Sequence, residues 1–412
     1  MRASTPIRHA AWLALAVGAL YGRSLWFGLM WDDFAALRPR SMAALASAWT
    51  GPWDPGGVWP DFYRPLAITL YDGLFRVFGH HDVALHFVTL ATLWTAACLV
   101  ARVVGRESGR ESLGLLAALL FVTHPETPAS MAVWISQMFH LAAVLAVLVA
   151  VSIWQRGHGR RIGQWLVVLS VLTIGVLIKE DVVMVGPALV IWQWLRARTI
   201  GDTTAPSRAV VGLVALWASG YAVLRIAWLG LFTGYIAPDA GRFALNGLDA
   251  WVFTFAYQWT PSAHLAGLLT GVGVVGLAWL ARRAWPHADA RSRLLVGYGL
   301  ALGLCASLPL IIASGHTRLH LMILSTAIAG AGAIGVVWST PATHAQLVSR
   351  TGLVLIALWA LGAGAANVRH TRTYAPCEPE SIRRDHEVLL FDMISPDVRA
   401  QVAARIAACP SR

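Results

Sequence analysis

Four groups of residues in this chain have the types and spacing for chemistry, and all precede or follow long apolar stretches. The first is Trp31-Asp32-Asp33, where two adjacent carboxylates could serve as a base, a metal ligand, a helix N-cap pair or an ordinary acidic loop. The second is Asp61-Phe62-Tyr63-Arg64-Pro65-Leu66. Its arginine could clamp a phosphate with two parallel hydrogen bonds or pair with Asp61. The third combines His124-Pro125-Glu126 with Lys179-Glu180-Asp181; here Lys179 could face an anion, or pair with Asp181 or Glu126. Of the 32 basic residues only Lys179 is a lysine, in a chain otherwise restricted to arginine, which favours a functional reading of that position. The fourth is Ser314-Gly315-His316-Thr317-Arg318-Leu319-His320, with an arginine suited to holding an anion. His316 and His320 stand four apart, a metal-ligand spacing on a helix, but no HExxH-type base accompanies them. His80, His81, Asp82 and His86 form another group that could hold a metal.

The elements that must position these groups follow from composition. The chain has 412 residues, 57% hydrophobic and only 13% charged, with 20 tryptophans. Soluble domains carry about 25% charged residues, so this composition excludes an ordinary soluble enzyme or a disordered chain. A net charge of +11 would raise nucleic acid as a partner, but membrane proteins also place basic residues for topological reasons, so no nucleic acid is expected. The expected fold is an all-α polytopic membrane protein with about eleven spans, at roughly 10–30, 83–104, 112–123, 131–154, 162–178, 182–195, 209–232, 262–281, 294–313, 319–338 and 351–367. With the N-terminus inside, the inner segments carry sixteen arginines and only four acids (Glu107, Glu111, Asp202 and Asp289), while 17 of the 21 acids fall outside. That separation supports an inward N-terminus and an outward C-terminus. All four chemical groups then lie on the outer face, because ionisable residues at membrane depth are costly and mark function.

Residues 1–368 are expected to form the membrane domain, with a long first outer loop at 31–82. Trp49, Pro52, Trp53, Pro55, Gly56, Gly57, Trp59 and Pro60 suit interfacial segments there. Residues 369–412 form a short outer tail in which 380–408 could make one or two helices. Cys377 and Cys409 share that tail, where an oxidising compartment would permit a disulfide; spacing alone leaves the bond open. Cys98 and Cys305 sit within spans. No first-helix cleavage site is evident, and no glycine-rich phosphate loop or Walker motif appears, which argues against an ATP-driven subunit.

The ordered run W-D-D, Y-R-P-L, H-x-x-x-x-H-F and L-A-A-L-L-F-V-T-H-P-E resembles multi-span GT-C glycosyltransferases, above all the transmembrane and tetratricopeptide-repeat O-mannosyltransferases and their bacterial relatives. The matching positions are Asp32-Asp33, Arg64-Pro65-Leu66, His124-Pro125 and Lys179-Glu180, with Arg318 similar to the family's late arginine. No repeats follow here, and Leu319-His320 replaces the usual tyrosine. The resemblance implies a GT-C fold, a polyprenyl-phosphate sugar donor, transfer with inversion, and an acceptor hydroxyl (protein, lipid or glycan) on the outer face of a bacterial inner membrane. It implies Asp32 or Asp33 as general base, with Asp32 favoured. Arg64, Lys179 and Arg318 would bind the donor phosphate, with Tyr63, His124, Glu126, Glu180 and His316 in support. A monophosphate donor does not require a divalent cation, although Mg²⁺ or Mn²⁺ could take part. Two other readings stay open: a polymerase or ligase of cell-surface polysaccharide, and a transporter of lipid or solute.

Overall fold

The computed structural model describes residues 4–29, 32–51, 62–124, 127, 131–201, 205–229, 283–311, 320–339, 377 and 396–409. The described residues are helical throughout and contain no strand. In chain order the helices are α1 (Ser4–Tyr21), α2 (Asp32–Ala36), α3 (Met42–Ser47), α4 (Pro65–Phe78), α5 (Asp82–Ser108), α6 (Glu111–Thr123) and α7 (Met138–Trp154). Then come α8 (Ile162–Ile178), α9 (Val185–Thr199), α10 (Arg208–Leu229), α11 (Ala290–Ile311), α12 (His320–Trp338) and α13 (Pro396–Ala407).

Among these, Asp82–Ser108, Ile135–Trp154, Arg208–Trp228 and His320–Trp338 are long and apolar enough to cross a membrane, while Glu111–Thr123 and Ile162–Ile178 are shorter apolar helices. The expected spans at 262–281 and 351–367 lie outside the described residues. Several expected boundaries move; the helix of the fourth expected span, for one, begins at Met138 rather than near residue 131, after the 3₁₀ turn Ile135–Gln137. The first helix ends at Tyr21 rather than near residue 30, because the chain tightens into a 3₁₀ turn at Gly22–Trp26 and then turns at Gly28, whose φ is +72°. The sixth expected span starts at Val185 instead of 182, because Glu180–Met184 form another 3₁₀ turn.

Leu15, Leu216, Val223 and Leu304 are exposed on the outer faces of α1, α10 and α11, while Leu13, Trp154, Trp165 and Phe121 are fully buried inside. That inversion of the usual surface is what hydrocarbon solvent demands. Where helices cannot gain from the hydrophobic effect in lipid, small residues let backbones approach. A Cβ on Gly299 would meet Ala329 at 2.5 Å, and one on Gly332 would meet the Val296 nitrogen at 2.6 Å, so α11 and α12 pack through these two positions. In the tail, Val402 of α13 packs into the main apolar core, and Cys377 and Cys409 are disulfide-bonded with Cα atoms 5.2 Å apart.

Polar contacts sort the helix ends into two layers. At one end the Glu107 carboxylate of α5 pairs with Arg196 of α9 and accepts from Gln155 at 3.3 Å and Tyr298 of α11 at 3.4 Å. Beside them Asp289 pairs with Arg110 at 3.4 Å and accepts from the hydroxyls of Ser292 and Ser339. At the other end Tyr21 donates to the Val122 carbonyl at 2.6 Å, and His86 sits 3.0 Å from the Gly28 carbonyl. The helices from α5 to α9 therefore alternate in direction, as do α11 and α12. Glu107 and Asp289 are two of the four acids expected among the inner arginines, and both find arginine partners.

Breaking the Glu107–Arg196 pair should leave a buried charge uncompensated. Arg196→Met is expected to destabilise the protein by about 3 kcal/mol, read as a lowered melting temperature in detergent, and adding Glu107→Gln should restore most of the loss. An unchanged melting temperature in Arg196→Met would show the pair to be dispensable.

Candidate active site

The site is built on the 3₁₀ turn Ile135–Gln137, which two outer-loop side chains hold from opposite sides. Asp33, fully buried on α2, accepts the Ser136 N–H at 2.6 Å, and the Tyr71 hydroxyl of α4 donates to the Ser136 carbonyl at 2.6 Å. Such a carboxylate has exchanged water for a backbone donor, which keeps it from being an unpaired buried charge. The rest of the outer loop is fastened to α4. Asp72 accepts the Arg40 N–H at 2.9 Å and pairs with Arg76 at 2.5 Å, while Arg76 also donates to the Arg40 carbonyl at 2.9 Å. His80 holds the Leu37 carbonyl at 2.8 Å.

Arg64 stands at the N-cap of α4, where Pro65 opens the helix without needing a donor's partner. Its guanidinium binds Glu180 in a forked pair, Nε to Oε2 at 2.6 Å and Nη2 to Oε1 at 3.2 Å. It also lies 4.0 Å from the Phe62 ring centre and 5.1 Å from that of Phe139. The pairing partner expected from sequence, Asp61, lies outside the described residues. Lys179 closes α8, only 8% exposed, with its ammonium 5.9 Å from the Phe139 ring centre. It makes no hydrogen bond or ion pair with another described side chain. Burial and the neighbouring Arg64 push its pKa down, while Asp181 and Glu180 work the other way.

Two residues further on, Asp181 faces His320 at the start of α12, with Oδ1 and Nε2 3.4 Å apart. His320 is fully buried and stacks flat on His140 of α7, ring centres 4.8 Å apart. Burial raises the carboxyl pKa of Asp181, but His320 and Lys179 outweigh it and hold the group at about 2. Glu180 is likewise held below its ordinary value, since Arg64 and Lys179 overcome burial. Both acids are therefore ionised at neutral pH.

The structure brings together Arg64, Lys179 and Glu180, with Asp181, Phe62, Phe139, His140 and His320 beside them. Asp32 opens α2, beside Asp33; its side chain lies outside the described residues, as do Glu126, His316 and Arg318. Tyr63 serves the loop: its hydroxyl donates to the Trp49 carbonyl at 3.1 Å and its ring meets Trp228 at 4.8 Å. His124 is buried where α6 ends, and burial pushes its pKa down to about 3, so it is neutral. No three metal-ligating side chains converge among the described residues. His80, His81 and His86 hold, respectively, the Leu37 carbonyl, the Ala84 N–H at the start of α5, and the Gly28 carbonyl. The phenylalanines carried no readable signal, being aromatic residues in apolar runs. Asp181 had one, as the third member of Lys179-Glu180-Asp181.

A family model described as dolichyl-phosphate-mannose-protein mannosyltransferase matches residues 64–220, a stretch that begins on Arg64 and contains Lys179, Glu180 and Asp181. No curated protein matches the chain. Among solved structures, the apo oligosaccharyltransferase of Archaeoglobus fulgidus aligns with a TM-score of 0.56 at 15% identity, covering 100% of this chain and 60% of that one. The same organism's AglB, in complex with an inhibitory peptide and a dolichol-phosphate, aligns at 0.55 and 14% identity, covering 99% and 60%. A third structure of that oligosaccharyltransferase, a complex with Zn and sulfate, gives 0.55 at 15% identity. This chain thus spans about 60% of the length of the solved structures it matches. The chain thus shares the fold of these oligosaccharyltransferase structures, and residues 64–220 are similar to the mannosyltransferase family.

Proposed function

We propose that this protein transfers a sugar from a polyprenyl-phosphate donor to an acceptor hydroxyl on the outer face of a bacterial inner membrane, with inversion at the anomeric carbon. The observation that carries this reading is the buried Lys179 ammonium, which lacks a hydrogen-bonding or ion-pairing partner among the described side chains although it sits beside the Arg64 guanidinium. A buried cation without a hydrogen-bonding partner is costly, and a bound phosphate would remove that cost. The family description and the dolichol-phosphate bound by AglB are consistent with such a donor.

In this mechanism the acceptor oxygen attacks the anomeric carbon as the bond from that carbon to the phosphate oxygen breaks. The hydroxyl proton passes to a carboxylate, and the lipid phosphate leaves with one more negative charge. Lys179 meets that growing charge, and Arg64, already half-neutralised by Glu180, lends directional donors at the margin; Arg318 is the third proposed cation. Fixed cations aimed at charge that develops in the transition state need no reorganisation as the reaction proceeds. Asp32 is the proposed base. Its neighbour Asp33 is occupied by the Ser136 N–H, and adjacent helical side chains diverge by about 100°, so the two carboxylates divide positioning and proton transfer between them. Glu180 keeps Arg64 in place, and Tyr63 and His124 shape the loop and helix end around it. His316 and Glu126 are proposed as further supports. No step is assigned to a divalent cation.

Release of polyprenyl phosphate from a panel of sugar donors tests the reading without knowledge of the acceptor. Asp32→Asn should lower turnover about 10²–10⁴-fold with folding intact, and Lys179→Met should lower it while raising KM. Turnover equal to wild type in Asp32→Asn would remove that residue from the reaction.

A further inference from the structure

The Lys179-Glu180-Asp181 run sends three charged side chains to three different tasks. Glu180 spends both oxygens on Arg64. The Lys179 ammonium is assigned above to phosphate. Asp181 remains, and its only partner among the described residues is His320, reached through Oδ1. That side of the carboxylate is sealed: Oδ1 is buried, His320 is fully buried, and the imidazole is pinned by its flat stack on His140. The other oxygen, Oδ2, belongs to a side chain that is 18% exposed and makes no hydrogen bond with a described residue. An ionised carboxylate can only accept hydrogen bonds. Aligned from behind and open in front, it matches a neutral donor such as a hydroxyl and repels a phosphate.

The geometry points to Asp181 as the residue that holds a sugar hydroxyl of the donor, oriented by His320 and His140 behind it. This rests on the donor reading above and deepens it. Lys179 and Asp181 lie two residues apart across the start of one 3₁₀ turn, which ends α8 and leads into α9. A sugar joined directly to the phosphate would place the anion against the ammonium and a ring hydroxyl against the carboxylate. One rigid turn would then read both halves of the donor. His320 is a positioning residue here, since it acts through Asp181. Asp181 is held ionised by His320 and Lys179, so it stays an acceptor across the neutral range.

Binding of bare polyprenyl phosphate and of a panel of polyprenyl-phosphate hexoses and pentoses, followed by tryptophan fluorescence on the full-length protein in detergent, separates the two halves. Wild type is expected to bind at least one sugar-bearing lipid roughly ten- to a hundredfold tighter than bare lipid phosphate, the span of one charge-assisted hydrogen bond. Asp181→Asn should reduce that preference to within about twofold, while bare lipid phosphate should bind at least as tightly as it does to wild type, since a repelling charge is gone. Lys179→Met should weaken both ligands alike. If Asp181→Asn fails to fold, Asp181→Glu replaces it, since one methylene displaces the carboxylate and should remove most of the preference. A preference retained in the Asp181 variant, or no preference in wild type, overturns the role of Asp181. Equal binding of bare lipid phosphate by wild type and Lys179→Met, or no binding by either, instead overturns the donor reading and this inference with it.

Discussion

The structure depends on how charge is kept at the Arg64 end of a bundle whose sides are apolar. A guanidinium there must find a counter-charge or pay for its desolvation. Arg64 meets the condition by forking onto Glu180, 116 residues away, with Phe62 and Phe139 flanking its plane. That one contact joins the first outer loop to the end of α8. Once it is made, Pro65 starts α4 at a fixed point, Tyr71 of α4 reaches the Ser136 carbonyl, and Asp33 takes the N–H of the same residue. The loop, α4, α7 and α8 are thereby locked together around Lys179.

The opposite end solves the same problem differently. Glu107 and Arg196 pair inside a set of hydrogen bonds from Gln155 and Tyr298, and Trp192 stacks on Tyr298 with ring centres 4.4 Å apart. Each charge there has a counter-charge among its neighbours. At the opposite end the Lys179 ammonium has Glu180 and Asp181 close by but makes no hydrogen bond or ion pair with a described side chain. A closed ionic cluster at one end thus contrasts with an incompletely paired one at the other.

Much of this was legible in the sequence because membrane insertion is governed by length and apolarity. α5, α6, α8 and α12 start and end within a few residues of the expected spans for that reason. Arg64, Lys179 and Glu180 were legible because charge at a span boundary is rare. Their pairing was not: Asp61 was the nearer partner in sequence, and nothing local signals that Glu180 will arrive from another helix. Nor could the contact of Asp33 be read, since it depends on which N–H the fold leaves for a carboxylate. The bond between Cys377 and Cys409 was left open, because two cysteines in one tail do not fix their Cα separation; the fold brings them to 5.2 Å. The early end of α1 and the late start of α9 both reflect 3₁₀ turns, whose apolar residues look like more helix.

The most direct test is to determine where a lipid phosphate sits, by electron cryomicroscopy of the protein in nanodiscs containing polyprenyl phosphate. The expected result is headgroup density at the outer end, within hydrogen-bonding distance of the Lys179 ammonium and beside Arg64. Headgroup density at the inner end near Glu107 and Arg196, or at the outer end but away from Lys179, would contradict the assignment of this cluster to the donor phosphate.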